Sequence, residues 1–226
     1  MAACACGLSE AHLTEYKGKQ LHQGIIDDFK ALDLAAKNAG FDLEIASAYR
    51  SFERQSLIWN NKFSGKRPIL NANSEPVEIA KLSEIEIIKA IMLYSAMPGA
   101  SRHHFGTDLD IYATNMLAEG QSLQLEPWEY NQSGPFYELN LWLDENLLQY
   151  GFYRPYKSFQ GGVAQEAWHI SHIKNGNKMM QVQSEENVIK SLVDSDVLGK
   201  EVLIKIFLIY THSLSRIYAL LNLLLI

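Results

Sequence analysis

Hydrophobic residues recur at helical spacing in several parts of the chain. One apolar face runs from Ile25 to Ala36, and a second runs from Leu139 to Tyr150. Gly40 and Gly151 follow these faces directly. Because glycine accepts the left-handed conformation found just past a helix end, both positions are expected to end helices. The pattern therefore predicts two amphipathic helices that each bury one side.

Polar residues mark the beginnings of further helices. Ser51 can cap a helix that runs through Trp59, and Ser83 with Glu86 has the spacing of a capping box that opens a helix through Tyr94. Two more helices are expected near the C-terminus, from about residue 184 to 198 and from about residue 200 onward.

Short apolar stretches between these helices favour strands. They are LEIASAY at residues 43–49, residues 109–112, and the end of QEAWHISH at residues 165–172. Helices and strands neither alternate regularly nor separate into blocks. This order favours an α+β fold in which a small antiparallel sheet is flanked by helices.

The length of 226 residues fits one main domain. We expect a single domain over residues 1–226, with its core at about 20–182 and a helical segment at about 183–226. Residues 202–226 are strongly apolar, but Lys205, His212 and Arg216 interrupt them and would be costly in a membrane interior. A terminal helix with one buried face is the favoured interpretation, and a membrane-surface role is the alternative. The positions of this face are Leu203, Phe207, Tyr210, Leu214, Ile217 and Leu221.

Composition narrows the function classes. A net charge of -6 with no cluster of basic residues argues against nucleic acid as a partner. The N-terminus lacks the basic start and apolar run of a secretory signal, so the chain as written is expected to be cytoplasmic. Cys4 and Cys6 are expected to be thiols of a frayed tail. Neither an integral membrane span nor a particular oligomeric state is predicted.

The segment SRHHFGTDLDIYA, residues 101–113, is too polar for an ordinary buried turn. It places His103 seven residues before Asp110, at the mouth of a predicted strand. Gly106 lies between them and lets the chain turn tightly enough for both side chains to face one ion. A catalytic zinc site needs three nitrogen or oxygen ligands and one open position.

A second segment supplies the other groups that metal-assisted hydrolysis needs. His169 is the third candidate ligand, and Glu166 is a carboxylate able to accept a proton from water and pass it to a leaving amine. Residues 166 and 169 would face opposite sides of one strand, so we expect Glu166 on a loop and His169 at the strand start. His104 and His172 lie close to His103 and His169 in the chain, and either could replace its neighbour as a ligand if the predicted register is wrong.

These residues resemble the two metal motifs of the LAS metallopeptidases, the lysostaphin, D-Ala-D-Ala metallopeptidase and hedgehog group. The matching strings are SRHHFGTDLD (residues 101–110) and EAWH (residues 166–169). SAYRSFERQ (residues 47–55), together with GFYRPY and the double glycine before EAWH, is similar to the VanY-like D-alanyl-D-alanine carboxypeptidase branch. The resemblance covers roughly residues 20–175.

The resemblance implies one Zn²⁺ ion and a role for each matching residue. His103, Asp110 and His169 would hold the metal, with Glu166 as general base and acid. Arg50 would be a catalytic and substrate-binding clamp, because its planar fork suits a carboxylate or an oxyanion. Further substrate contacts are expected from Gln55, Ser101 and Asp108.

Asp108 departs from the usual motif, where a small residue such as alanine is common. It shares a strand face with Asp110 if the strand is regular. Three roles are open to it: orienting a metal ligand, contacting a substrate ammonium group, or standing solvated on a loop.

The function implied is zinc-dependent removal of the terminal D-Ala from peptidoglycan stem peptides or precursors, with action at the cell envelope. The alternatives on the same scaffold are an L,D-carboxypeptidase and an L-alanyl-D-glutamate endopeptidase. A zinc-stabilised binding module that does not cleave is the alternative from a different class. An intact Glu166 and Arg50 favour an enzyme over that module.

Overall fold

A computed structural model describes residues 1–159 and 163–209. A hairpin of β1 (Leu13–Tyr16) and β2 (Lys19–His22) precedes the central sheet. That sheet contains β3 (Leu43–Ser47), β4 (Asp108–Ala113), β5 (Phe152–Tyr153) and β6 (His169–His172), in the order β3-β4-β6-β5. Every pairing in it is antiparallel, which confirms the predicted fold class.

Helices surround the sheet. They are α1 (Ala2–Ala5), α2 (Ile26–Asn38), α3 (Phe52–Phe63), α4 (Glu84–Met92), α5 (Tyr137–Asn146), α6 (Ile173–Val182), α7 (Glu185–Val193) and α8 (Lys200–Ile209). Short 3-10 turns cover Gln23–Ile25, Ile79–Lys81, Arg102–Phe105, Thr114–Met116, Pro127–Tyr130 and Leu147–Tyr150.

The predicted helix boundaries are formed by the expected contacts. The Ser51 hydroxyl accepts a hydrogen bond from the backbone N–H of Arg54 at 3.1 Å, and the capping box of Ser83 and Glu86 opens α4. Gly151 has a φ of +78° after the turn that extends α5. The two serine caps therefore fix where α3 and α4 begin.

Two hydrophobic clusters hold these elements together. The first lies between the sheet, α2 and α5, and the second is shared by α3, α4, α7 and α8. Trp59 is fully buried in the second cluster, and its indole N–H donates to the carbonyl of Leu198 at 2.9 Å. The C-terminal helices therefore pack against α3, the helix that follows Arg50 in the chain.

The N-terminus differs from the frayed tail that was expected. Cys4 and Cys6 are 5% and 1% exposed. Cys4 packs with Phe105 and Met179, and Cys6 belongs to the second hydrophobic cluster. Burial of these small apolar side chains against the turn that carries His103 gives the segment its order.

Several elements, among them the short strand β5, were not predicted. The others are α1, the β1–β2 hairpin and α6, whose sequence IKNGNKMMQV contains a glycine and two asparagines that disfavour helix. The predicted helix over residues 184–198 is shorter and ends at Val193.

The C-terminal prediction is only partly covered by the described residues. Leu203 is 1% exposed, as expected for the apolar face. The side chains at the remaining predicted positions of that face, 207 to 221, lie outside the described part. None of the described helices combines the length and apolar character needed to cross a membrane.

Candidate metal centre

His103 lies in the short turn between α4 and β4. Its Nδ1–H donates to the carbonyl of Ala48 at 2.8 Å, which leaves Nε2 as the atom that faces the sheet. The backbone N–H of Arg50 donates to the His103 carbonyl at 3.1 Å. These two bonds tie the turn to the end of β3 and fix the orientation of the imidazole.

Gly106 ends this turn in the conformation that the sequence predicted. Its φ is +66°, in the left-handed region that favours glycine. A Cβ atom there would lie 2.6 Å from a methyl carbon of Leu13 and 2.8 Å from the backbone nitrogen of His22. Glycine is therefore required both by the backbone angle and by the close approach of the hairpin.

Asp110 and His169 are directly opposite each other on the neighbouring strands β4 and β6. His169 is the first residue of β6, and Glu166 precedes the strand, which confirms the predicted arrangement. The backbone N–H of Glu166 donates to the carbonyl of Tyr156 at 3.0 Å. This bond holds the carboxylate beside the start of the strand.

The three predicted ligands converge. His103, Asp110 and His169 each offer one ligand atom, and these atoms all lie within 4.8 Å of one another. All three side chains are buried. Asp110 Oδ1 and His169 Nδ1 are 3.2 Å apart, yet neither buried atom has a hydrogen-bond partner among the described residues. Unpaired buried atoms of this kind are costly unless a cation satisfies them.

The charges around His169 also fit a cation. Glu166 Oε2 lies 3.4 Å from His169 Nδ1. Burial alone would lower the pKa of His169, but its bond to Asp108 and the two carboxylates at Nδ1 raise this pKa well above its ordinary value. The site thus favours positive charge at Nδ1, which a proton or a metal ion supplies. Two imidazoles and one carboxylate, with a second carboxylate beside them, match the ligands and the base of a catalytic zinc site.

Asp108 supports His169 from behind. His169 Nε2–H donates to Asp108 Oδ1 at 3.0 Å, and Arg102 Nε donates to the same oxygen at 2.7 Å. The hydroxyls of Thr107 and Ser171 donate to Asp108 Oδ2. Burial alone would raise the pKa of Asp108, but Arg102 and His169 outweigh burial and hold this pKa well below its ordinary value. Asp108 is therefore a charged residue that fixes the tautomer and ring direction of His169.

Arg50 stands on the other side of Asp110. Its guanidinium donates to Asp110 Oδ2 at 3.0 Å and to the Ser47 hydroxyl at 2.9 Å. About a quarter of its side chain is exposed, into a cavity of about 680 Å³. Arg50, Ser101, Glu166 and the three candidate ligands all line that cavity, which is the size of a small-molecule site.

Two expected substrate contacts are not supported by the structure. Asp108 is 0% exposed, does not line the cavity, and has both oxygens bonded to protein groups. Gln55 is also 0% exposed, and its amide donates to the Ala96 carbonyl at 2.7 Å. Both side chains point into the protein, so the expectation that they contact a substrate is corrected.

The alternative ligands are placed elsewhere. His104 Nδ1–H donates to the Arg50 carbonyl at 2.6 Å, and its Nε2 accepts from the N–H of Gly99 at 3.0 Å. His172 Nε2 bonds Asp28 at 2.9 Å, and its Nδ1 accepts from a backbone N–H. Neither imidazole belongs to the ligand cluster.

Tyr156 is a part of the site wall that sequence reasoning did not single out. The ring of Tyr156 meets the ring of His169 edge-on, with centroids 4.9 Å apart, and Trp168 lines the cavity nearby. Tyr156 lies in the string GFYRPY, which carries part of the family resemblance. Its place in that string was the available signal for Tyr156. The string alone does not separate Tyr156 from Arg154, which lies away from this role and pairs with Asp144 at 2.8 Å.

A profile of the VanY family, described as D-alanyl-D-alanine carboxypeptidase, matches residues 18–175. The chain belongs to the VanY family. It is therefore a VanY-type peptidoglycan carboxypeptidase and a metallopeptidase, as the sequence motifs indicated. The matched range contains the ligand cluster, Glu166 and Arg50.

Two relatives illustrate the spread of this similarity. An uncharacterized protein of Haemophilus influenzae is 42% identical over 107 residues, which are 46% of this chain and 82% of that protein. A D-alanyl-D-alanine carboxypeptidase of Enterococcus faecalis is 30% identical over 142 residues, 62% of this chain and 43% of that protein. The similarity thus spans less than half of the Enterococcus enzyme.

Solved VanY structures share the fold. VanYB in complex with D-alanine-D-alanine has a TM-score of 0.53 and 25% identity, and the match covers 74% of this chain and 81% of that one. A vancomycin resistance D,D-pentapeptidase VanY in complex with Zn(II) has a TM-score of 0.52 and 23% identity, covering 80% and 88%. The antiparallel sheet and its helices are therefore those of VanY enzymes.

Proposed function

We propose that this protein is a zinc-dependent carboxypeptidase that removes the terminal D-Ala from peptidoglycan stem peptides or their precursors. The observation that carries the proposal is the cluster of His103, Asp110 and His169, in which buried atoms of Asp110 and His169 have no hydrogen-bond partner among the described residues. Glu166 lies beside this cluster, 3.4 Å from His169. The family membership supports the substrate class. One zinc ion is proposed, held by these three side chains.

His103, Asp110 and His169 would hold the zinc ion, which would supply Lewis-acid activation of the peptide carbonyl and of the attacking water. Glu166 accepts the proton of that water at Oε2 and passes it to the amine that leaves as D-Ala. The bond between its backbone N–H and the Tyr156 carbonyl keeps the carboxylate on the cavity side of His169. Glu166 is thus proposed as the one proton carrier of the reaction.

Arg50 is proposed to hold negative charge on the substrate. Its guanidinium is already oriented by Ser47 and Asp110, so little side-chain freedom is lost when it binds an anion. A terminal carboxylate or a developing oxyanion would both suit its planar fork. Ser101 lines the same cavity and is proposed as a further polar contact to the peptide.

We also propose that residues 1–226 act as one peptidase domain. Helices α7 and α8 share a hydrophobic cluster with α3 and α4, and α3 lines the catalytic cavity. The C-terminal helices accordingly support the wall of the site. The action of this domain is proposed for the cell envelope, where the substrate belongs.

Mass spectrometry of synthetic stem peptides tests the substrate. The zinc-loaded protein is incubated with a pentapeptide ending in D-Ala-D-Ala and, separately, with the tetrapeptide ending in one D-Ala. We expect loss of one alanine from the pentapeptide alone. Chelator should abolish the reaction, and added zinc should restore it.

Other products would replace the proposal. Loss of alanine from the tetrapeptide would identify an L,D-carboxypeptidase. Cleavage between L-Ala and D-Glu would identify an endopeptidase. Intact peptides in the presence of bound zinc would contradict peptide hydrolysis at this site.

A further inference from the structure

The cavity beside the metal centre carries an excess of positive charge, although the whole chain has a net charge of -6. Its lining includes three carboxylates and six cationic side chains. The carboxylates are Asp110, Glu126 and Glu166, and the cations are Lys19, Arg50, Arg54, Lys62, Arg67 and Arg102. Arg50 and Arg102 are paired with Asp110 and Asp108. The other four have no carboxylate within 4.0 Å among the described residues.

Of the four cations without a carboxylate partner, Lys62 is the one held by a side-chain hydrogen bond among the described residues. It lies in the last turn of α3, and its ammonium donates to the Ser95 hydroxyl at 2.7 Å. Burial lowers the pKa of Lys62 to about 8, with a further contribution from Arg67 and Arg50. Glu166 acts in the opposite direction, so Lys62 lies within the field of the catalytic carboxylate. A half-buried ammonium whose hydrogen-bond partner among the described residues is a hydroxyl gains from an anion.

The side chains around Lys62 form a continuous wall. Arg54, Ile58 and Lys62 line the cavity from successive turns of α3, and Arg67 follows from the loop after the helix. Arg50 immediately precedes Ser51, the cap of α3, so Arg50 and Lys62 stand at opposite ends of the wall. Along the helix axis, the positions of Arg50 and Lys62 are separated by roughly 15 Å. Four extended peptide residues span about the same distance.

We propose that Lys62, Ser95 and Arg67 form a second carboxylate-binding subsite, which selects peptides that carry an additional carboxylate upstream of the scissile bond. This inference rests on the proposed function and adds the substrate class. With Arg50 holding charge at the reacting end, the upstream residues of a bound peptide would extend along α3. A carboxylate there would meet Lys62 and Arg67, whereas an ammonium group there would be repelled.

Two positions of a stem peptide can supply the upstream carboxylate. The third residue is either a diamino diacid, such as diaminopimelate, or lysine. The second residue is either isoglutamate, with a free carboxylate, or its amide. A set of four pentapeptides that combine these choices keeps the D-Ala-D-Ala end constant and separates the two sources.

The test measures kcat/KM for the four peptides with the zinc-loaded wild type, Lys62→Met and Arg67→Gln. Methionine keeps the length of the Lys62 side chain, and Arg67 is exposed, so both variants should fold. We expect the wild type to favour one additional carboxylate by about 10- to 100-fold. Lys62→Met should reduce that preference to near unity, and Arg67→Gln should reduce it in part.

Lys66→Met is the matched control. Lys66 is an exposed lysine four residues from Lys62 that does not line the cavity. This variant should keep the full preference. Equal kcat/KM for all four peptides in the wild type would overturn the subsite. So would an equal loss on every peptide in Lys62→Met, which would place Lys62 at the constant D-Ala-D-Ala end.

Binding measured without turnover separates this inference from the proposed function. Calorimetry of the four pentapeptides with zinc-loaded Glu166→Ala should show the same preference in Kd, and adding Lys62→Met should abolish it. If the wild type cleaves none of the peptides but the binding preference persists, the proposed function fails and the subsite stands. If peptides are cleaved without any binding preference, the subsite fails alone.

Discussion

Asp108 Oδ1 accepts a hydrogen bond from His169 Nε2 at 3.0 Å. The other ring nitrogen of His169, Nδ1, faces the candidate metal centre. Arg102, Thr107 and Ser171 occupy the remaining capacity of the same carboxylate. Of the three roles that the sequence left open for Asp108, this contact favours the first, the orientation of the candidate metal ligand His169. The geometry of the three candidate ligands thus depends on a buried network behind His169.

Asp108→Asn should weaken zinc binding by about 10- to 100-fold, because the amide lacks the charge that orients and polarises His169. Competition with a chelator of known zinc affinity measures the effect. Asp27→Asn is the control, since its side chain is fully exposed. Unchanged zinc affinity in Asp108→Asn would refute the supporting role.

His104 should make folding sensitive to acid. Burial lowers its pKa to about 4, and its neutral ring bonds the backbone of Arg50 and Gly99. Because the unfolded chain binds a proton near pH 6.5, the stabilisation is complete above that pH and is lost as pH falls toward 4. The expected loss is about 3 kcal/mol.

Urea unfolding between pH 4 and 8 tests this effect. His104→Asn should be less stable than the wild type at pH 7, and the difference between the two proteins should shrink toward pH 4. A difference that stays constant over this range would show that His104 does not titrate in the folded protein.

The two cysteines should be unreactive in the native protein. Both are buried, and burial raises the pKa of the Cys6 thiol to about 11, which removes the reactive thiolate at neutral pH. A colorimetric thiol reagent should label neither cysteine before denaturation and both after it. Rapid labelling of Cys6 in the native state would contradict the packed N-terminus.

Arg50→Lys should lower kcat/KM by roughly 100-fold, since lysine keeps the charge but loses the planar fork. Zinc content should be unchanged, because lysine keeps a positive charge beside Asp110. Steady-state kinetics and metal analysis on the same preparation test both statements. Loss of zinc from this variant would assign Arg50 a structural role instead.

Local chemistry explains which features could be predicted from the sequence. Ser51, Ser83 and Gly151 act through backbone rules that operate within a few residues, and each ends or begins a helix as expected. The position of Glu166 before β6 and of His169 at its start followed from strand alternation. These features depend little on the rest of the fold.

Features that depend on distant packing could not be predicted in the same way. Residues 108 and 110 share a strand face, and only the packing of Arg102 and Ser171 decides that Asp108 lies behind His169. The helix α6 contains Gly176, which is buried near Ser171, Thr107 and Arg102. The β1–β2 hairpin is different, because a local feature could have predicted it. Gly18 suits a tight turn between two strands, and in the structure its φ is +70°, next to Lys17 at +50°.

Measuring zinc content and turnover together in Glu166→Gln tests the central claim most directly. The amide keeps the shape of Glu166 but cannot accept the proton at Oε2. The account predicts one zinc ion per chain, as in the wild type, with turnover of the pentapeptide lowered by about 10²- to 10⁴-fold. Wild-type turnover in this variant, or loss of the zinc ion, would contradict Glu166 as the base beside a three-ligand metal centre.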